Sequence, residues 1–439
     1  MMQKLLEQLA ATPVAYIARD IERALGLTLP TRGYCIVSNA TAFAKKIANG
    51  SDDALLIPSE HPLDTEELLR HELTMPFLRK HGIRRVVVFK NTSHIERAAS
   101  ALGLELLNPP ADISKIVEEK ISQVRWLGEL ATYLPPHTIT TCKKLEWTGT
   151  DVIVQFNHAH TGDGTLRLTS KETMRALAEQ FPDRDVRVMD VVNGPTFTNN
   201  NVVARDAVLF GNVNYQITGL TPFTDRPFAT VGNDWGLAER LLPESARATY
   251  TEMVATIGNQ LRQSGWRGLF GVDVMYDEDK KKLFLIEINA RQPASATFES
   301  QLQHSHRLSA KSPAHCGTPP EGGGQKSRTL RDPARGRWLK AITIFEAHLA
   351  ALLDLPLGDK TLVTIHDGAQ LVRRIRDDES KMTDISEKIE KLKAAGLTVM
   401  RYDNTEPGQD VLRIQSERSL MESHHKLNER GRLIQSMVS

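Results

Sequence analysis

Phe270–Ser295 reads FGVDVMYDEDKKKLFLIEINARQPAS. Two largely apolar runs, Phe270–Tyr276 and Lys282–Asn289, flank the charged segment DEDKK. That pattern predicts a β-hairpin. Every second side chain of a strand falls on the same face, so Glu287 and Asn289 share one, and Asp273 on the partner strand can reach it. Two carboxylates and an amide carbonyl on rigid strands make a cluster of hard oxygens suited to Mg²⁺. Arg291 follows two residues on and could meet phosphate or carboxylate with paired hydrogen bonds. A solvated edge hairpin would show the same spacing. The site reading gains from Glu287 and Asn289 following the apolar run LFLI, where an uncompensated charge is costly.

Upstream, short apolar runs at Tyr34–Ser38, Ala54–Pro58 and Arg85–Lys90 alternate with helical periodicity at Glu66–His81 and Ser93–Leu104. Alternation of this kind predicts a parallel, Rossmann-like α/β sheet over residues 1–112. Asn108-Pro109-Pro110 ends that unit. A helix is expected from Ile113 to Tyr133, then strand, turn and strand over Thr138–Leu168, and a helix capped by Ser170. Further strands are expected at Val186–Val192 and Asn201–Gln216, and a long helix at Glu244–Ser264. Residues 302–339 have few aliphatics, a glycine triplet and many basic residues, so they are expected to form a disordered basic insert. After it come an apolar helix at Ala341–Leu355, two strands, an amphipathic helix and a polar tail, Glu417–Ser439, expected to have little to pack on.

The segment VIVQFNHAHTGDGTLRL contains glycines that let backbone N–H groups approach phosphate oxygens, Gly162 and Gly164, with hydroxyls at Thr161 and Thr165. Alone, Gly-Asp-Gly is equally an ordinary hairpin turn. With Lys120 in EEK, the strand and hinge VRVMDVVNGPTF, and the hairpin, the order of parts over about residues 30–300 resembles the ATP-grasp superfamily. The resemblance implies an α/β fold: an N-terminal unit (1–112), a small lobe with the glycine loop (113–192), a large lobe with the hairpin (193–301), the insert, and a C-terminal region (340–439). It implies ATP and Mg²⁺ (or Mn²⁺) as cofactors, the metal held by Asp273, Glu287 and Asn289. Lys120 matches the first phosphate-directed lysine and Asp190 the hinge acid near the adenine amino group; Arg291 would steady an acyl phosphate. The chain departs from the pattern twice. Gln155 stands where many relatives have a second lysine, and Thr196 where relatives often place a ribose-binding glutamate.

The implied activity is a ligase that activates a carboxylate as an acyl phosphate and joins it to an amine or other nucleophile. Small-molecule carboxylate and amine substrates are then the expected partners, with Thr196–Gly236, including Arg205 and Arg226, near them. A biotin-carboxylase-like enzyme activating bicarbonate and a non-catalytic ATP-binding regulator are the alternatives. The near-balanced charge of +1 argues neither for nor against a polyanionic partner, and the basic insert has no interleaved aromatics, so nucleic acid is not expected. The chain has three scattered cysteines, Cys35, Cys142 and Cys316, no CxxC pair, no signal peptide and no bilayer-length apolar run. A cytoplasmic protein without membrane partners is therefore expected; homo-oligomerisation is left open.

Overall fold

The computed structural model describes residues 2–157, 164–309, 340–376, 386–402, 404 and 406–438. The N-terminal unit is a five-stranded sheet built from β1 (Val14–Ile17), β2 (Tyr34–Asn39), β3 (Ala54–Ile57), β4 (Arg85–Val88) and β5 (Glu105–Leu106), in the order β3-β2-β1-β4-β5. Every pairing in it is parallel. Its central strand, β1, was not among the expected ones. All four of its residues are buried. Val14 and Tyr16 enter one core and Ala15 and Ile17 the other, because both faces are covered.

The expected helix Ile113–Tyr133 is broken. Ala111–Glu118 is helical, Ser122–Leu127 is helical, and Gly128–Tyr133 tightens to a 3₁₀ turn. At the break, Glu119 adopts extended backbone angles. Asn157 spans it, accepting from the Ile121 N–H at 3.0 Å and donating to Glu119 at 3.0 Å. Gln123 donates to the freed Val117 carbonyl at 2.8 Å. The break frees Lys120 from the helix at the residue where the site needs it.

The small lobe is an antiparallel sheet of β6 (His137–Thr141), β7 (Val152–Phe156), β8 (Thr165–Leu168) and β9 (Asp185–Asp190), ordered β6-β9-β7-β8. The helix Lys171–Gln180 packs Met174 and Leu177 onto it, and Ser170 caps that helix as expected.

The large lobe is a nine-stranded antiparallel sheet. Its strands are β10 (Thr196–Val203), β11 (Val208–Leu209), β12 (Asn214–Thr218), β13 (Thr230–Asp234), β14 (Gly268–Asp277) and β15 (Lys282–Asn289), and three more from after the insert. Two short strands, β16 (Ala341–Ile342) and β17 (Thr361–Leu362), pair separately. The sheet then continues through β18 (Ala369–Arg374), β19 (Thr398–Arg401) and β20 (Asp410–Ser416), giving β15-β14-β10-β12-β13-β18-β20-β19 with β11 on β10. Phe197, Tyr215, Val272, Val274 and Leu285 point to one face, under the helix Glu244–Gln263. On the opposite face, Thr198, Asp273, Glu287 and Asn289 turn to the cleft, while Val202 and Leu269 pack into the core shared with the N-terminal unit.

Two expectations fail at the edges of the basic insert and in the tail. Residues up to Ser309 continue the helix Ala296–Ser309, where Leu302 and Gln303 are buried and Arg307 reaches Glu346 at 2.7 Å. Composition hid this because the stretch from Leu302 to Ser309 packs through one apolar side chain, Leu302, and through polar ones such as Gln303 and Arg307. The tail does pack: Met421 and Leu427 form a short hairpin, and Ile434 and Val438 of the helix Glu429–Val438 enter the main core.

Candidate active site

The hairpin register is the foundation of the site. In β14 and β15, Asp273 lies directly opposite Glu287, and Asn289 opposite Gly271. Directly opposed residues of antiparallel strands share a face, so Asp273, Glu287 and Asn289 meet on the cleft side. Thr198 of β10 is opposite Asp273 from the other side and donates its hydroxyl to Asp273 Oδ1 at 2.5 Å. Asn289 donates to Asp273 Oδ2 at 3.3 Å. Burial first, and the Glu287 charge second, push the Asp273 carboxyl up to about 6; the bonds from Thr198 and Asn289 and the charge of Arg291 oppose this. Two close carboxylates, one buried, form a natural cation site.

The chain's own cations partly fill that role. Lys120 is buried and its Nζ lies 3.0 Å from Glu287 Oε1. Arg291 donates to Asn289 Oδ1 at 2.7 Å, and its Nε is 3.3 Å from Glu118, which also pairs with Lys90 at 2.9 Å. The segment after the hairpin is tied to the N-terminal unit. Tyr16 donates to Gln292 at 2.7 Å, Gln292 to the Arg23 carbonyl at 2.8 Å, and Ser114 to the Ala290 carbonyl at 2.9 Å. These bonds fix Arg291 between the parallel sheet and the large lobe.

On the small lobe, Gln155 is buried in β7, with Arg187 of β9 opposite it. Arg187, missed in the sequence, is fully buried and donates to Gln155 Oε1 from Nε at 3.1 Å and Nη2 at 2.6 Å, and to Gln123 at 3.2 Å. Burial pulls its pKa down to about 10 while the Glu287 charge opposes the fall. Thus a guanidinium from the neighbouring strand stands where the second lysine is lacking. Within DVRVMD it reads as a solvated strand residue; only its alternation with Val186 and Val188 hinted that it faces the cleft.

Of the other expected site residues, Gly164 and Thr165 close the β7–β8 connection, the Gly164 carbonyl accepting from the Phe156 N–H at 3.0 Å and Thr165 from Gln155 at 3.3 Å. Thr161 and Gly162 lie outside the described residues. Asp190 is exposed at the end of β9, its N–H bonded to the Pro136 carbonyl at 3.0 Å. Thr196 is buried at the start of β10. Arg205 stands apart, paired with Asp354 at 3.2 Å. A cavity lined by Lys90, Asn91, Ser114, Lys115, Glu118 and Asn157 opens beside the Glu118–Arg291 pair. No helix among the described residues is long and apolar enough to cross a membrane.

No protein-family model matches the chain, and no curated protein matches it in sequence. Solved structures do match its fold. A carboxyaminoimidazole ribonucleotide synthase from Aspergillus clavatus, complexed with ATP, is 16% identical with a TM-score of 0.59, covering 97% of each chain. An N5-carboxyaminoimidazole synthetase from Staphylococcus aureus, complexed with ADP, is 12% identical with a TM-score of 0.58, covering 97% of this chain and 96% of that one. An L-amino acid ligase from Bacillus licheniformis is 12% identical with a TM-score of 0.55, again covering 97% and 96%. With its parallel N-terminal sheet, its small antiparallel lobe and the hairpin at the edge of a large antiparallel sheet, the chain has the ATP-grasp fold.

Proposed function

We propose that the chain is an ATP- and magnesium-dependent ligase that activates a carboxylate as an acyl phosphate and joins it to an amine, releasing ADP and phosphate. The observation that carries this reading is the convergence of Asp273, Glu287 and Asn289 on one face, with Lys120 and Arg291 already paired to two of them. The donor set fits the metal: carboxylate and amide oxygens are ligands for Mg²⁺, and a cation there would offset the burial and the neighbouring Glu287 charge that lift Asp273. Bound at these three residues, Mg²⁺ would draw charge from the β- and γ-phosphates.

The remaining work falls to the chain's own side chains. Lys120 would leave Glu287 for phosphate oxygens, and Arg187 would neutralise charge on the small-lobe side. Arg291, held by Glu118 and Asn289, would steady the acyl phosphate. Gln155, Thr161, Gly162, Gly164 and Thr165 would line the triphosphate, Asp190 the adenine end. A covered cleft would keep water from the activated carboxylate. The cavity beside Lys90 and Lys115 is the place we assign to the small-molecule substrates, since it adjoins the Glu118–Arg291 pair; its lining of two lysines and the acids Asp112, Glu118 and Glu119 could meet an amine as well as a carboxylate. That two similar structures hold ATP or ADP supports the nucleotide part of this reading.

The test is ADP release across a panel of carboxylates, bicarbonate included, with and without amines, beside thermal melting with ATP-Mg²⁺. A ligand at about 100 times its Kd stabilises by roughly 2.7 kcal/mol. A magnesium-dependent melting shift that Glu287→Ala abolishes, together with ADP release, is the expected result. ATP turnover intact in Glu287→Ala would overturn the metal assignment, and stable ATP binding without turnover on any mixture would leave the regulator reading in its place.

A further inference from the structure

A second cluster lies far from this chemistry, at the opposite edge of the parallel sheet. Ligands of parallel sheets gather at the carboxyl ends of the strands, and Lys90, just past β4, points into the cleft from that end. Cys35 is the second residue of β2, Asp53 immediately precedes β3, and His81 immediately follows the helix Thr74–Lys80. One ligand atom from each, the Cys35 sulfur, an Asp53 carboxylate oxygen and a His81 ring nitrogen, all lie within 4.8 Å of one another.

The three are poorly satisfied as they stand. Cys35 Sγ is 4.0 Å from Asp53 Oδ1, a long contact between a buried thiol and a carboxylate. The Nε2 of His81 is buried with no hydrogen-bond partner. The nearby lysine, Lys80, pairs with Asp52 at 3.6 Å, and among the described residues no lysine or arginine pairs with Asp53. His81 also sits at a helix carboxyl end, where the backbone dipole adds partial negative charge and favours a cation. Backbone bonds hold the group together: the Ile36 N–H donates to the Asp53 carbonyl at 2.9 Å, and the His81 N–H to the Phe77 carbonyl at 3.2 Å. The His81 ring rests against Phe77, centroids 4.6 Å apart, which limits its rotation.

We propose that Cys35, Asp53 and His81 bind a zinc ion that clamps β2, the segment before β3 and the end of the helix Thr74–Lys80. Sulfur, imidazole and carboxylate together suit Zn²⁺ and not the oxygen-seeking Mg²⁺ of the cleft. With Zn–S about 2.3 Å and Zn–N or Zn–O about 2.0–2.2 Å, tetrahedral ligand atoms sit about 3.3–3.6 Å apart, so the three side chains need only close by roughly 1 Å. Water takes the fourth position. Burial and the Asp53 charge push the Cys35 thiol up to about 12, so at neutral pH metal binding must displace the thiol proton, and that proton is released to solvent.

The site is independent of the ligase reading and is tested without turnover. Cobalt(II) titrated into the full chain should give a thiolate-to-cobalt charge-transfer band, with release of about one thiol proton per cobalt. The cleft oxygens cannot give that band, so it should persist in Glu287→Ala. Zinc(II) should compete it away. Cys35→Ser should abolish it, and His81→Gln should weaken affinity at least about 100-fold, the upper end of what loss of an outer-shell partner costs. Cys316→Ser should keep it, which separates this site from the histidines and cysteine of the insert. No band in the wild type, or a band retained in Cys35→Ser, overturns the proposal. Should Cys35→Ser fail to fold, zinc-dependent melting of His81→Gln decides: a zinc shift equal to that of the wild type also overturns it.

Discussion

Replacing Arg187 with methionine tests how the small lobe compensates for Gln155. The substitution removes three N–H donors to the amide oxygens of Gln155 and Gln123. Each buried acceptor left without a partner costs about 1–3 kcal/mol, so the pair costs about 2–6 kcal/mol. Against this, burial pulls the guanidinium down to about 10, a desolvation cost that the variant no longer carries. The folded protein should therefore lose less than the two stranded acceptors alone would cost. ATP should suffer more specifically: a charge-assisted hydrogen bond is worth about 1.5–3 kcal/mol, which predicts a Kd for ATP-Mg²⁺ raised about 10- to 150-fold. Calorimetric titration of ATP-Mg²⁺ into wild type, Arg187→Met and the double variant Gln155→Lys/Arg187→Gln is the assay. The double variant moves the cation to the strand where the resemblance expects it and should recover most of the affinity. An unchanged Kd in Arg187→Met with a lowered melting temperature would make Arg187 an internal tie and refute the argument.

Glu299, in the helix Ala296–Ser309, is pushed up to about 7 by burial, against bonds from Asn212 and Asn200. The folded state therefore holds its proton more tightly than the unfolded chain, and the contribution present below about 4.5 is lost as pH rises through about 7, amounting to about 3 kcal/mol. Melting of the wild type between pH 5 and 8 should show this slope and Glu299→Gln should flatten it; equal slopes would argue against a buried ionisable Glu299. Ile434→Ala should cost about 2–5 kcal/mol, since Ile434 is 0% exposed in the main core, and a melting temperature within a degree of wild type would mean that the tail helix is undocked. Arg307→Met strands the Glu346 carboxylate, buried at 3% side-chain exposure, and should cost about 3–5 kcal/mol; a neutral result in chemical denaturation would return Arg307 to the insert.

The sequence made the hairpin legible because two independent signals coincide there: a period of two and polar residues closing an apolar run. Period two sets Glu287 and Asn289 on one face, but Asp273 joins them only because a bulge beside Asp273 shifts the register by one residue and sets Glu287, not Ile286, opposite it. Lys120 was legible as a residue but not as a conformation. The pattern from Ile113 onward reads as one helix, and the break at Glu119 depends on Asn157, 38 residues away, satisfying the exposed backbone. The central strand β1 is as long as β3 and β4, but its apolar run follows the helix Met2–Ala11 almost directly and does not stand out from that helix's apolar pattern. The strands after the insert read as a separate region because nothing local states that β18 will pair with β13 across the sheet. Arg187 escaped for a similar reason: its partners, Gln155 and Gln123, come from other elements.

Charge explains why these long-range pairings matter to the site. Lys120 neutralises Glu287, and Lys90 and Arg291 share Glu118, so the cleft's cations are held by its own carboxylates. A triphosphate would bind by drawing Lys120 and Arg187 out of Glu287's field, which leaves Glu287 and Asp273 facing one another across β14 and β15 with less positive charge beside them. That exposure is unfavourable in a buried setting, and it is removed only if a divalent ion arrives with the nucleotide. ATP affinity should accordingly fall steeply when magnesium is withheld from the wild type. In Glu287→Gln, where the repulsion is gone and Lys120 is released, metal-free ATP should bind more tightly than it does to the wild type. Titrating ATP into both proteins in the presence of a chelator measures this directly. Equal or weaker metal-free binding by Glu287→Gln would show that Lys120 and Glu287 do not exchange partners, and that the pairing seen between them belongs to the scaffold.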